Sequence, residues 1–300
     1  MSAVDPTAFE PAPAPVEDAG AAADRRSARR EKLRLLVRNP SAIIGGVILL
    51  FWIICAIFGD VIAPYSPYVT QFDGHVPPGG ENLLGTDKLG RDVLSRVIIG
   101  SRDVLIAAPI CAIIGVGLGS LLGMLMGYYR GWLDDTLGRV IEAFLALPVP
   151  LVALLALAAL GSSTTTVVLT VGIFFTPIVA RTVRAAVLSE RENDYVQAAK
   201  LRGENGLYIM FREILPNITG PIVVEFTVRI GYAVFTIAFL SFLGVGIQPP
   251  TPDWGLMVSE EYQLIIGGYW WVTVFPALAI ASLVIAVNLV ADALQEVNER

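Results

Sequence analysis

From Ser41 to Gly59 the chain runs nineteen residues without a charge. At about 1.5 Å per residue this is enough to cross the hydrocarbon core of a bilayer as a helix. Five further apolar stretches follow, at about 104–129, 140–160, 166–186, 218–245 and 264–291. They are continuous and do not alternate with polar residues, which argues for helices and against a membrane β-barrel. The predicted fold class is therefore an all-α membrane protein with six transmembrane helices. A composition that is 55% apolar and only 16% charged excludes a soluble enzyme. A cleaved signal peptide would need a shorter apolar core and a small-residue cleavage site. The first run instead ends in Gly59-Asp60-Val61-Ile62-Ala63-Pro64-Tyr65, so it reads as an uncleaved first helix.

Lysine and arginine set the orientation. A Pro- and Ala-rich tail (1–24) reads as disordered and leads into a basic stretch (25–38) with seven cations. With the N-terminus inside, the inner segments hold fifteen Lys and Arg and the outer ones four. Both termini are thus expected in the cytoplasm. The organisation expected is a tail at 1–38, a first helix with an outer loop at 39–103, a core at 104–292 with a long cytoplasmic loop at 189–216, and a short C-terminus at 293–300. Two cysteines exclude a disulfide scaffold or a cysteine zinc cluster. The single histidine, His75, excludes multi-histidine metal or haem sites.

Four features stand out within this frame. Gly115, Gly119, Gly123 and Gly127 recur every four residues and form a flat stripe for close helix approach, either inside the chain or at a subunit interface. Glu225 and Arg229 are charges at membrane depth, spaced to pair along one helix face. They either line a path or orient their own helix. Asp87, Arg91, Asp92, Asp253, Glu260 and Glu261 lie in the outer loops. They are candidates for an outer docking surface, or, for the first three, for local capping around Gly85 and Gly90. The 189–216 loop reads as a helix, a glycine turn at Gly203 and a second short helix, shaped for contact with a cytoplasmic partner or else simply solvated.

In that loop Gln197-Ala198-Ala199, Gly203 and Ile214-Leu215-Pro216 resemble the EAA loop of ABC importer permeases, with Gln197 standing where Glu is usual. The segments 84–96, 128–135, 146–148 and 242–255 are similar to those of the second, C-type permease of dipeptide, oligopeptide and nickel importers. The resemblance covers roughly residues 35–295. It implies the type I importer permease fold in a bacterial cytoplasmic membrane. It also implies a second homologous permease, two ATPase subunits or a fused ATPase, an extracytoplasmic solute-binding protein, and a peptide as substrate. No Gly-x-x-x-x-Gly-Lys-Ser/Thr loop occurs in the chain, so ATP and Mg are expected in the ATPase subunits and no cofactor here. Nothing points to nucleic acid. Two alternatives remain open: a nickel or metal-chelate importer of the same group, and a stand-alone secondary carrier. An intramembrane enzyme lacks a catalytic set, since no aspartate falls within an expected span.

Overall fold

The computed structural model describes residues 35–299. The expected disordered tail and most of the basic stretch lie outside the described residues. Ten helices are labelled here. The first, α1 (Pro40–Ile62), starts where Asn39 accepts a hydrogen bond from the Ser41 amide, with Pro40 in the first turn. It is followed by α2 (Val93–Tyr129), α3 (Gly131–Leu145), α4 (Val149–Leu160), α5 (Thr164–Glu190) and α6 (Asp194–Leu201). Next, α7 covers 206–217 and contains a π-helical turn at Ile209–Ile214. The last three are α8 (Thr219–Phe242), α9 (Trp254–Glu261) and α10 (Trp271–Glu299). Among the described residues five helices are long and apolar enough to span, and the bent pair α3 and α4 brings the number to six when it is counted as one broken span.

Three expected spans differ from the observed helices. The third is not one helix over 140–160: α3 and α4 meet at 89°. Pro148 lacks an amide donor and disfavours helical geometry at Leu147, which stops α3; its own extended backbone then precedes α4, with Pro150 tolerated in the first turn. The second span begins eleven residues earlier than 104, at Val93. Asp92, Arg96 and Arg102, which made this stretch look like loop, are held within the fold. Asp92 caps α2 through the Ser95 amide at 2.8 Å. Arg96, 1% exposed, donates to the Pro67 carbonyl at 3.2 Å. Arg102 donates to the Ala56 carbonyl and to Asp60 at 3.0 and 2.8 Å. The boundary expected at 103 therefore falls inside a continuous helix. The sixth span starts at Trp271, because 262–267 form a short 3₁₀ turn instead.

The bundle has two main layers of core. The outer layer packs Trp52, Val93, Trp254, Trp271 and Leu283. Trp52 also donates to Ser282 at 3.0 Å, tying α1 to α10. The inner layer packs Val183 and Val187 of α5 against Val196, Ala199, Ile209, Met210 and Ile214 of the cytoplasmic loop.

The glycine stripe faces α5 of the same chain. A Cβ at Gly115 would lie 2.5 Å from Phe175, at Gly119 2.6 Å from Val179, and at Gly123 and Gly127 2.8 Å from Val183 and Val187. Two matched rows, each with a period of four, thus bring two backbones into near contact. The stripe is used within the chain.

Candidate functional site

The loop between α5 and α8 forms a hairpin pressed on the cytoplasmic end of the bundle. Its first arm, α6, is short because Gly203 (φ 77°) turns the chain where a side chain would be strained. Asn205 then caps α7 by accepting from the Tyr208 amide at 2.7 Å. Each arm has an inner and an outer face. Val196, Ala199, Ile209, Met210 and Ile214 are fully buried and seat the hairpin on α5. The outer face leaves large apolar groups in water: Leu201 is 90% exposed, Leu207 59%, Phe211 44% and Tyr208 41%.

This division sorts the loop residues picked out from sequence. Ala198, Gly203 and Pro216 are exposed, whereas Ala199 and Ile214 are buried and Leu215 is half-buried. Ala199 and Ile214, expected among the ATPase-coupling residues, lie on the face that packs on Val183 and Val187 and anchor the hairpin. Gln197 turns inward: its Nε2 donates to the Arg191 carbonyl at 3.0 Å.

A second set of bonds, not anticipated from sequence, fixes the hairpin. Tyr195 donates to Glu190 at 2.6 Å and accepts from Asn217 at 3.1 Å, joining α5, α6 and α7. Burial and the Glu190 carboxylate push the Tyr195 hydroxyl up to about 12, so it stays a donor at any physiological pH. Arg191 reaches the end of α2 and donates to the carbonyls of Gly127 and Tyr128. The signal for Arg191 was present in the sequence, since it continues the row Phe175, Val179, Val183, Val187 by another four residues.

The outer candidates behave differently from a docking surface. Asp87, Arg91, Asp92, Asp253 and Glu261 are each at most 7% exposed. Arg91 pairs with Asp87 at 2.6 Å and lies 3.5 Å from Glu260. Glu261 accepts from the Lys88 amide at 3.1 Å and sits 3.0 Å from the His75 ring. Asp92 and Asp253 are helix caps. These groups are corrected to a buried polar clamp that holds the outer loop onto α9. They are buried because the loop folds back over Trp271, whose indole donates to the Thr86 carbonyl at 3.1 Å. Lys88, Glu260 and His75 keep part of their surface exposed, and the Lys88 and Glu260 heads lie 4.0 Å apart.

Glu225 and Arg229 pair as their spacing predicts, at 3.0 Å. The second Glu225 oxygen accepts from Thr182 of α5 at 2.8 Å. The Arg229 guanidinium lies over the rings of Phe175 and Tyr232, 5.7 and 5.1 Å from their centroids. The pair therefore ties α8 to α5, with each charge answered inside the chain.

Comparison with known proteins agrees with this architecture. Residues 119–300 match the family described as the binding-protein-dependent transport system inner membrane component. Residues 27–78 match the N-terminal membrane domain of oligopeptide transport permease C. The chain is 38% identical to a glutathione transport system permease protein of Pectobacterium atrosepticum over 90% of both chains. It is 37% identical to a dipeptide transport system permease protein of Haemophilus influenzae, over 86% of this chain and 90% of that one. A dipeptide transport system permease protein of Alkalihalophilus pseudofirmus is 35% identical over 89% and 88%. The chain belongs to the binding-protein-dependent inner membrane component family, as a multi-pass ABC importer permease of the dipeptide and oligopeptide permease C type.

Proposed function

We propose that this chain is one of two unlike permeases in an importer of short peptides, with dipeptides and glutathione as the leading substrates. The relatives named for dipeptide and for glutathione transport support that substrate class. In this reading a solute-binding protein delivers the peptide at the outer end, and two ATPase subunits dock at the inner end, where they hold ATP and Mg.

The observation that carries the coupling role is the apolar outer face of the α6–α7 hairpin. Leu201, Leu207, Tyr208 and Phe211 are all exposed within eleven residues of an otherwise polar loop, along with exposed Arg202 and Arg212. Apolar groups clustered in water mark a surface that another protein covers. Nucleotide-driven closure of the ATPases displaces the hairpin. Its buried face then transfers the motion to the bundle and favours one of two global states.

The test is purification of the tagged chain with its partners in mild detergent, followed by ATP-dependent uptake of labelled dipeptide or glutathione in proteoliposomes. The double substitution Leu207→Glu with Phe211→Glu should keep the membrane fold and reduce ATPase recovery about tenfold or more. Undiminished recovery of the ATPase with that variant would remove the hairpin as the docking site.

A further inference from the structure

The row that faces the glycine stripe has a fifth member. Phe175, Val179, Val183 and Val187 rest on Gly115, Gly119, Gly123 and Gly127, and the next residue at the same spacing is Arg191. The next glycine at that spacing, Gly131, lies beyond the end of α2 at Tyr129 and has nothing within 4 Å of its would-be Cβ. The side chain instead folds over the end of α2. Its Nη1 donates to the Gly127 carbonyl at 3.2 Å and to the Tyr128 carbonyl at 2.9 Å. These two carbonyls belong to the last turn, where no amide of the helix can reach them. A cation there is favoured further by the helix dipole.

The same residue is held from the other side. Its backbone carbonyl accepts the Gln197 amide from α6 at 3.0 Å. A continuous series of bonds therefore runs from α6, through the Arg191 backbone, through its guanidinium, to α2. Gln197 contributes what a carboxylate could not, because an ionised Glu is an acceptor only and would face another acceptor. Close packing along the stripe makes α2 and α5 one rigid pair.

We propose that Arg191 is a positioning residue for transport. It acts as the clasp through which displacement of α6 is passed to the α2–α5 pair, with Gln197 as its link to α6. The inference rests on the hairpin being the ATPase docking site. Without the clasp, α6 keeps its packing on α5 but loses its polar tie to the end of α2: the ATPases still close and hydrolyse ATP, and less of the displacement reaches α2. The Arg191 side chain is 19% exposed, directed at the carbonyls of α2 with Glu192 3.3 Å from its Nε, and is not among the exposed apolar groups of the docking face, so its loss removes none of them.

The test uses the full complex, with permeases, ATPases and binding protein, in proteoliposomes, and reads uptake and ATP hydrolysis together. Arg191→Met, which keeps length and removes the donors, should lower peptide taken up per ATP by about tenfold while the ATPase stays bound. Arg191→Lys, which restores a cationic donor, should recover part of that ratio. Gln197→Glu should lower the ratio by about threefold. A cap that only stabilised α2 would change the amount of complex and leave uptake per ATP unaltered. An unaltered ratio in Arg191→Met would thus overturn the clasp. Should that variant fail to assemble, Gln197→Glu decides in the same way: a fall supports the clasp and no change overturns it. Loss of the docking reading is distinguishable, since it would show as undiminished ATPase recovery with the Leu207→Glu and Phe211→Glu double variant, whatever the uptake per ATP of Arg191→Met.

Discussion

Asp253 illustrates how burial gives one residue its chemistry. It is 0% exposed, and its Oδ1 caps α9 by accepting from the Leu256 amide at 2.9 Å. Burial pushes its carboxyl up to about 6 from 3.8. The Leu256 and Gly255 amides and the Ser241 hydroxyl pull it down, and Asp103 nearby adds to the rise. A carboxyl raised in the folded state binds its proton more tightly there than in the unfolded chain. Stability from this group is then greatest with the proton on. It declines as pH rises from about 4 through about 6, by an amount on the order of 2–3 kcal/mol. Asp253→Asn keeps the cap and deletes the charge. Thermal melting of the purified protein should show this variant at least as stable as the parent at pH 7.5, with a flatter response between pH 7.5 and 5. An identical slope in both proteins would assign the pH response to other groups. The sequence placed Asp253 in an outer loop, among candidates for a docking surface. The neighbouring Trp254 donates to the Val97 carbonyl of α2 at 2.9 Å, a contact between residues 157 apart, and no local pattern encodes that.

At the scale of elements, the α2–α5 pair tests whether the glycines are required by space or merely tolerated. A Cβ at Gly119 would fall 2.6 Å from the Val179 Cβ and 2.9 Å from the Thr176 carbonyl. A backbone carbonyl cannot rotate away, so the helices must separate. Gly119→Ala should destabilise the protein by roughly 1–3 kcal/mol, as overpacking does. Gly117, two residues earlier on the opposite face, has nothing within 4 Å of its would-be Cβ. Gly117→Ala should be neutral or stabilise by up to about 1 kcal/mol through helix propensity. Melting temperatures that move together for the two variants would show that backbone freedom, and not clearance, is what the stripe supplies. The stripe itself was legible because a period of four needs only one helix. Its partner was not, because small residues say that something approaches closely without saying what. The break between α3 and α4 was half legible. Pro148 announced a bend, but a single apolar run gave no reason to expect an 89° turn. The loop hairpin was legible in its helix, turn and helix, while the assignment of Ala198 to water and Ala199 to the core required the packed structure.

The whole molecule has a sidedness on which every functional statement depends. Fifteen cations in the inner segments against four in the outer ones place the α6–α7 hairpin in the cytoplasm. The polar clamp around Asp87, Arg91 and Glu261 then lies at the outer end. The chain is suited to a direct check, because its two cysteines are inaccessible: Cys55 is 3% exposed and Cys111 0%. The parent should therefore resist a membrane-impermeant maleimide from either side. Single cysteines can be introduced at two exposed sites, Leu201 at the hairpin (90% exposed) and Ile266 in the outer 3₁₀ turn (97% exposed). Ile266→Cys should label in intact cells stripped of any outer barrier. Leu201→Cys should label only in inverted vesicles or after permeabilisation. Both positions carry large apolar side chains in water, so each variant removes an exposed group and should leave the core undisturbed. Labelling of Leu201→Cys from outside would reverse the molecule. The apolar hairpin would then face away from ATP, and its docking role and the Arg191 clasp would fall together. The expected pattern places the docking face, the clasp and the α2–α5 pair in one line running inward to outward. In the proposed reading, that line is the route along which hydrolysis on one side of the membrane alters the state of the other.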